Sequence, residues 1–145
     1  MADSKVSALT ALTTPQPSDE LYIVDNSGAP ASKKITRQYL LGYIEYVALL
    51  TQTGTDAPTA TVIKNDTGAT VAWTRVIQGL YTGTFSSAIL TADKVAVIIV
   101  PPSTNRVLCA SRSGTSTVAV STQNAAFALT DALLGNTLII IRIYV

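Results

Sequence analysis

The run Thr137-Leu138-Ile139-Ile140-Ile141-Arg142-Ile143-Tyr144-Val145 constrains this chain more than any other stretch. Side chains of a strand alternate between two faces. Ile139, Ile141, Ile143 and Val145 then form one unbroken apolar face, and Leu138, Ile140, Arg142 and Tyr144 form the other. Left exposed, such a strand is an aggregation hazard, so it is expected to be central and covered. Arg142 marks the side nearer water or a subunit interface. The rest of the chain has to supply the sheet around it.

Most of the chain after Gly54 reads as that sheet. Thr59–Asn65 leads into a turn at Asp66-Thr67-Gly68, where Gly is available for a positive φ. Residues 70–76 carry Val71 and Trp73 on one face, and Gln78-Gly79 turns the chain into Leu80–Phe85, whose Tyr81 and Phe85 share a face. The three aromatics are expected in the core, because aromatic side chains dominate core burial. Val95–Val100 is apolar on both faces and stops at Pro101-Pro102, which suggests a central strand, or one sandwiched between a sheet and a neighbouring subunit. Residues 105–112 and 117–121 surround a Ser113-Gly114 turn, residues 123–129 fit a strand or a short helix with strand favoured, and Leu133-Leu134-Gly135-Asn136 is another turn. Roughly seven to nine short strands with Gly, Pro and Asn turns argue for an antiparallel β-sandwich, jelly-roll-like in class.

One stretch reads differently. Residues 35–50, from Ile35 to Leu50, form the only convincing helical pattern. Thr36 is a candidate N-cap, and Ile35 with Leu40 forms a hydrophobic staple. Leu40, Tyr43, Val47 and Leu50 make a heptad seam that Tyr39, Ile44 and Tyr46 widen, and only Arg37, Gln38, Gly42 and Glu45 interrupt it. A helix that apolar needs cover, and sister copies of the chain are the expected cover. Residues 1–34 look like an extended arm with small strands: Leu21–Asp25, a turn through Gly28 and Pro30, and a return strand at Lys33-Lys34-Ile35. The polar loop at residues 51–58 sets the boundary. The expected organisation is an arm over 1–34, an oligomerisation helix over 35–50 and a mainly β knob over 51–145.

Charge and chemistry narrow the function. A net charge of +1 with 13% charged residues suggests neither a nucleic-acid surface nor a polybasic membrane patch. A hydrophobic fraction of 48% beside so little charge fits a chain that hides surface in an oligomer. The apolar runs fall short of the roughly 20 residues that a membrane-spanning helix needs, and no signal peptide is read at Met1-Ala2-Asp3-Ser4-Lys5, so a soluble protein made in a cytoplasm is expected. Histidine is absent and Cys109 is the only cysteine, which rules out an intramolecular disulfide and any Ser–His or Cys–His nucleophile. Cys109 lies in a strand-like run and is expected to be a buried, inert thiol. Asp56, Asp66, Asp93 and Asp131 each sit beside a turn, where Asp is normally a turn former. A carboxylate pair assembled in space is the one open route to hydrolytic chemistry, with only Glu20 and Glu45 to supplement the aspartates. No metal, no cofactor and no enzymatic activity are expected.

The N-terminal segments carry a resemblance. Ser7-Ala8-Leu9-Thr10-Ala11-Leu12, Asp19-Glu20-Leu21-Tyr22-Ile23-Val24-Asp25, Lys33-Lys34-Ile35-Thr36 and Leu40-Leu41 resemble the opening segment of bacteriophage virion proteins of the tail-fibre, head-fibre and tail-spike kind. The similarity covers roughly residues 4–44; a weaker one, to small β modules of phage and prophage proteins, covers the remainder and is carried mostly by residues 59–85. The resemblance implies a structural virion protein, made in the host bacterial cytoplasm, that attaches to the particle by its N-terminus and displays a C-terminal knob. It also implies a homotrimer. Leu9, Leu12, Leu21, Ile23 and Val24 are the expected attachment residues, touching other capsid or tail proteins. Leu40, Tyr43, Ile44, Val47 and Leu50 are the expected trimer axis. No extended repeat lies between helix and knob, which favours a short head fibre or capsid-bound protrusion over a long tail fibre. Host-surface adhesion to a glycan or protein is the expected use of the knob, with Arg106 and Arg112 as candidate receptor contacts. The alternative is a capsid decoration protein lying flat on the shell.

Overall fold

The computed structural model describes residues 21–25, 31–35, 40–102 and 106–144. The chain divides into two units, residues 1–41 and 42–145. In the first, β1 (Leu21–Asp25) pairs antiparallel with β2 (Ala31–Ile35), with Leu21 opposite Ile35 and Asp25 opposite Ala31. Residues 1–20, 26–30 and 36–39, which hold the rest of the expected arm and the start of the expected helix, lie outside the described residues.

The second unit is mainly β. Its strands are β3 (Tyr43–Thr51), β4 (Thr59–Asn65), β5 (Val71–Ile77), β6 (Leu80–Phe85), β7 (Val95–Val100), β8 (Val107–Arg112), β9 (Thr117–Gln123) and β10 (Thr137–Tyr144). They form two antiparallel four-stranded sheets, sheet I in the order β4-β3-β10-β7 and sheet II in the order β5-β6-β9-β8. Three of the ladders join strands adjacent in sequence: β3 with β4, β5 with β6, and β8 with β9. β10 returns to lie between β3 and β7, as its two apolar faces demand. Trp73, Tyr81, Phe85, Val118 and Val120 of sheet II and Tyr46, Ala48, Leu50, Ile139, Ile141 and Ile143 of sheet I share one buried cluster. Tyr46 meets Phe85 edge-on, with ring centroids 5.9 Å apart. The arrangement is sandwich-like, and the three aromatics read as core are core.

The helix expected over 35–50 is corrected where the chain is described. Only Leu40 and Leu41 are helical, Gly42 adopts φ +73°, and from Tyr43 onward the chain is strand. A positive φ is natural for glycine and commonly ends a helical turn. Beyond it, a segment that is apolar on every side satisfies a period of two as well as a heptad. Ile44, Tyr46, Ala48 and Leu50 face the core, while Tyr43, Glu45, Val47 and Leu49 face outward. Aromatic and β-branched residues fit a pleated surface, and the partnership with β10 decides between the two readings. The domain boundary moves accordingly, from the loop at 51–58 to the position before Gly42.

Three smaller expectations also change. Val95–Val100 is not central by hydrogen bonding but an edge strand of sheet I, with Val95, Val97 and Ile99 packed on the core. Residues 124–128 are a turn, because the Asn124 side chain accepts from the amides of Ala126 and Ala128 and pulls the chain round. A single bridge, Gln123 to Leu129, closes that turn. Cys109 is exposed, since alternation along β8 turns its neighbours Leu108 and Ala110 toward the core instead.

Candidate interaction face

Sheet I has a second face, and its composition is unusual for one that meets water. Register places Thr61, Leu49, Leu138 and Val100 side by side across the four strands. The next row is Lys64, Val47, Ile140 and Ile98, followed by Glu45, Arg142 and Ala96, and then by Tyr43 and Tyr144. Six aliphatic side chains from β3, β10 and β7 thus form a continuous field two rows deep. Ile98 and Val100 are 41% and 46% exposed, and the other four are half-buried. Contiguous exposed apolar patches of this kind mark interaction sites more often than scattered exposed residues do.

The end of the field near Tyr43 is closed by a charge cluster. Glu45 accepts from Lys64 Nζ at 2.9 Å through one oxygen and from Arg142 Nε at 3.0 Å through the other. Lys64 also pairs with Asp66 at 2.9 Å, and the Asp66 amide donates to the Glu45 carbonyl. Arg142 lies over the Tyr43 ring, 4.8 Å from its centroid, and Tyr43 meets Tyr144 edge-on at 6.0 Å. The Lys64 ammonium, seconded by Arg142, holds the Glu45 carboxyl below its ordinary range against the opposing effect of burial. Glu45 in turn raises the Lys64 ammonium. A β-bulge on β4, where Lys64 and Val62 face consecutive residues of β3, bends that edge strand.

A second polar cluster ties loops together. Arg75 donates to both oxygens of Asp131, from Nε to Oδ1 at 3.1 Å and from Nη2 to Oδ2 at 2.7 Å, and the Gly79 amide donates to Asp131 Oδ1 at 2.9 Å. The Tyr81 hydroxyl lies 2.7 Å from Gln52 Oε1 and 3.0 Å from Asp131 Oδ1. Gln52 also accepts from the Ala132 amide and donates to the carbonyls of Gly54 and Asp56. Arg75 first, then the Gly79 amide, holds the Asp131 carboxyl well below the usual carboxylate range, while burial pushes the Tyr81 hydroxyl up. Every strong acceptor here is occupied by the protein itself, so the cluster acts as a staple between three loops.

Within the β unit, β3 does not carry the expected axis residues on one side. Leu50 is in the core and Ile44 packs against it, whereas Tyr43 and Val47 point to the opposite side of β3. Leu40 precedes the strand and is exposed. A strand divides what a helix would have aligned, with Ile44 and Leu50 on one side of β3 and Tyr43 and Val47 on the other. Leu9 and Leu12 lie outside the described residues; Leu21, Ile23 and Val24 belong to β1. Arg106 Nη1 donates to the Leu133 carbonyl, and Arg112 Nε donates to the Leu90 carbonyl at 2.8 Å, so both candidate receptor arginines brace loops. Sequence reasoning misses the Glu45–Arg142 pair and the aliphatic field, although alternation places Leu138, Ile140 and Arg142 on one face. Pairing partners across strands carry no signal in a single sequence.

Among the described residues no cluster of three or more His, Cys, Asp or Glu is placed to hold a metal ion, and no helix is long and apolar enough to cross a membrane. No protein-family model, curated protein or solved structure matches the chain.

Proposed function

We propose that the chain is a non-enzymatic structural protein of a bacteriophage particle, a short homotrimeric fibre held by its N-terminal unit and displaying the β unit as a knob. What carries this reading is the order of the parts. The segments that resemble phage virion proteins lie almost wholly in the unit ending at Leu41, ahead of a separately packed β unit of class-typical strands. The exposed aliphatic field on sheet I supports a chain built to be covered in an assembly. Host-surface adhesion by the knob would fall to exposed loop residues such as Phe127, which is 72% exposed, since Arg106 and Arg112 brace loops.

A second reading is capsid decoration, favoured by the same broad apolar face if it lies against a shell. Mass spectrometry and cryo-EM of purified particles test both. The fibre reading expects the chain in the particle as density projecting from an N-terminal attachment. Density lying flat with the β unit on the capsomers replaces it by the decoration reading, and absence of the chain from particles overturns both.

A further inference from the structure

We infer that the loop between β9 and β10 is a shallow lipid anchor, whose residues 125–129, tipped by Phe127, enter the headgroup boundary of a bilayer. The inference rests on the reading of the chain as a particle protein whose knob meets a host surface, and it names lipid as what the tip takes. Residues 125–129 are Ala, Ala, Phe, Ala and Leu, and all five are exposed, Phe127 at 72%. A run of exposed apolar residues this long has no place on a surface unless it is used. Phe127 also adopts φ +60°, a costly conformation for so bulky a side chain. Asn124 holds it there: its carbonyl accepts from the Phe127 amide, and its side chain accepts from the amides of Ala126 and Ala128.

The loop lies at the far end of the β unit. The chain enters that unit at Tyr43, beside Tyr144. At the other end of β3, the Gln52 amide donates to the Leu134 carbonyl, and the Gly79 turn packs on the 122–130 segment, where a Cβ at Gly79 would meet Thr130 N at 2.6 Å. Val76 and Ile77, 54% and 53% exposed, lead into that turn and add apolar surface at the same end.

The partner follows from the polar groups. The amides of Asn124, Ala126, Phe127, Ala128 and Thr130 already donate within the loop or to Thr122. Protein interfaces carry about one hydrogen bond per 100–200 Å², and a glycan needs partners for its hydroxyls, yet this tip has few donors left to give. A lipid boundary asks for none: it rewards apolar side chains and penalises amides without acceptors. No charged residue lies between Arg112 and Asp131, and Asp131 is paired with Arg75, so the attraction does not depend on anionic lipid. One tip of this size binds at about millimolar strength, and several copies on one particle add by avidity.

The test uses full-length protein and vesicles of phosphatidylcholine. Phe127→Trp places a reporter at the tip, while Trp73, being nearly buried, supplies a constant background. Val62→Trp, at a site 51% exposed on β4 opposite Ala48, is the control, and circular dichroism establishes folding. The expected result is a blue shift of Phe127→Trp emission on adding vesicles, with quenching by brominated phosphatidylcholine, and neither effect in the control. Flotation with the same vesicles should be at least about 10-fold weaker for Phe127→Ala, as loss of one buried Phe side chain predicts. A folded Phe127→Trp whose emission ignores vesicles overturns the lipid assignment and leaves an apolar pocket on a host protein as the partner. Vesicle binding that Phe127→Ala does not weaken, or that shifts the control equally, overturns the tip. None of these failures touches the fibre reading, which stands or falls on particle density. Vesicle insertion by a chain absent from particles would keep the anchor and overturn that reading.

Discussion

Glu45 and Arg142 stand directly opposite each other on β3 and β10, and Arg142 Nε donates to Glu45 Oε2 at 3.0 Å. The carboxylate is the buried member of the pair. Its side chain is 12% exposed, while those of Arg142 and Lys64 are 35% and 30% exposed. Two more exposed cations therefore flank one largely covered anion, at the point where the aliphatic field gives way to the tyrosines.

Replacing Glu45 by Gln removes the charge and keeps the shape. Because both cations can return to water, the expected loss is modest, about 1 kcal/mol at neutral pH. The Glu45 carboxyl titrates lower in the folded chain than in the unfolded one. Its contribution is thus fully present above the unfolded value, near pH 4, and is lost as pH falls through the folded value. Urea midpoints of the wild type and E45Q should differ at pH 7 and converge in acid. A gap that does not narrow contradicts the pairing.

Neighbouring leucines on β3 should behave oppositely. Leu50 is fully buried, so Leu50→Ala is expected to cost about 2–5 kcal/mol through lost burial and an unfilled cavity. Leu49 faces outward and is half-buried, so Leu49→Ala should cost about 1 kcal/mol or less in dilute protein. Equal losses by urea denaturation would be incompatible with a strand whose faces differ.

Gly83 faces Trp73 across the β5–β6 ladder, and a Cβ there would lie 2.8 Å from the indole ring. The ring is nearly buried and is held in the core, so it has little room to retreat. Gly83→Ala should destabilise by about 1–3 kcal/mol, the usual cost of overpacking. Tryptophan fluorescence should shift with it, since Trp73 is the only tryptophan.

Thr137 is fully buried, and its hydroxyl has no hydrogen-bond partner among the described residues. Thr137→Val keeps the branched shape and removes the unpaired group. The expected change is neutral to a gain of about 1–2 kcal/mol, read from the urea midpoint. A clear loss would reveal an acceptor for that hydroxyl.

Asp131→Asn tests the loop staple. The wild-type carboxyl is held far below its ordinary range, by Arg75 before all else. Its stabilisation is complete above the unfolded carboxylate pKa and fades as pH falls toward the folded value. The variant should unfold at lower urea at neutral pH, and its midpoint should depend less on acid than that of the wild type. An unaltered acid profile would place the wild type's acid sensitivity elsewhere.

How legible the fold was varies with what each segment's neighbours decide. β10 announced itself, because two apolar faces interrupted only by Arg142 leave a strand nowhere to go but the middle of a sheet. Trp73, Tyr81 and Phe85 were placed by alternation alone. Residues 43–50 misled for the converse reason: apolar side chains on all sides fit a helix seam and a two-faced strand equally, and only pairing with β10 separates them. The exposure of Cys109 and the carbonyl partners of Arg106 and Arg112 escaped for a third reason. Which side of β8 faces the core, and which carbonyl an arginine reaches, depend on chain segments distant in sequence. The aliphatic face was half visible, as Leu138, Ile140 and Arg142 shared a side, but its other half on β3 was hidden inside the helical reading.

The ladder between β3 and β10 also governs time. Glu45 and Arg142 are 97 residues apart in sequence, so β3 emerges from synthesis long before its central partner. Contacts across such separations form slowly, because the intervening loop must be ordered before the pairing is rewarded. Until then β3 has β4 alone on one edge, with both of its apolar sides unprotected. Sheet I is therefore complete only once β10 has been made and has entered between β3 and β7, and the interval before that is when a nascent copy is most prone to stick to another in the wrong register.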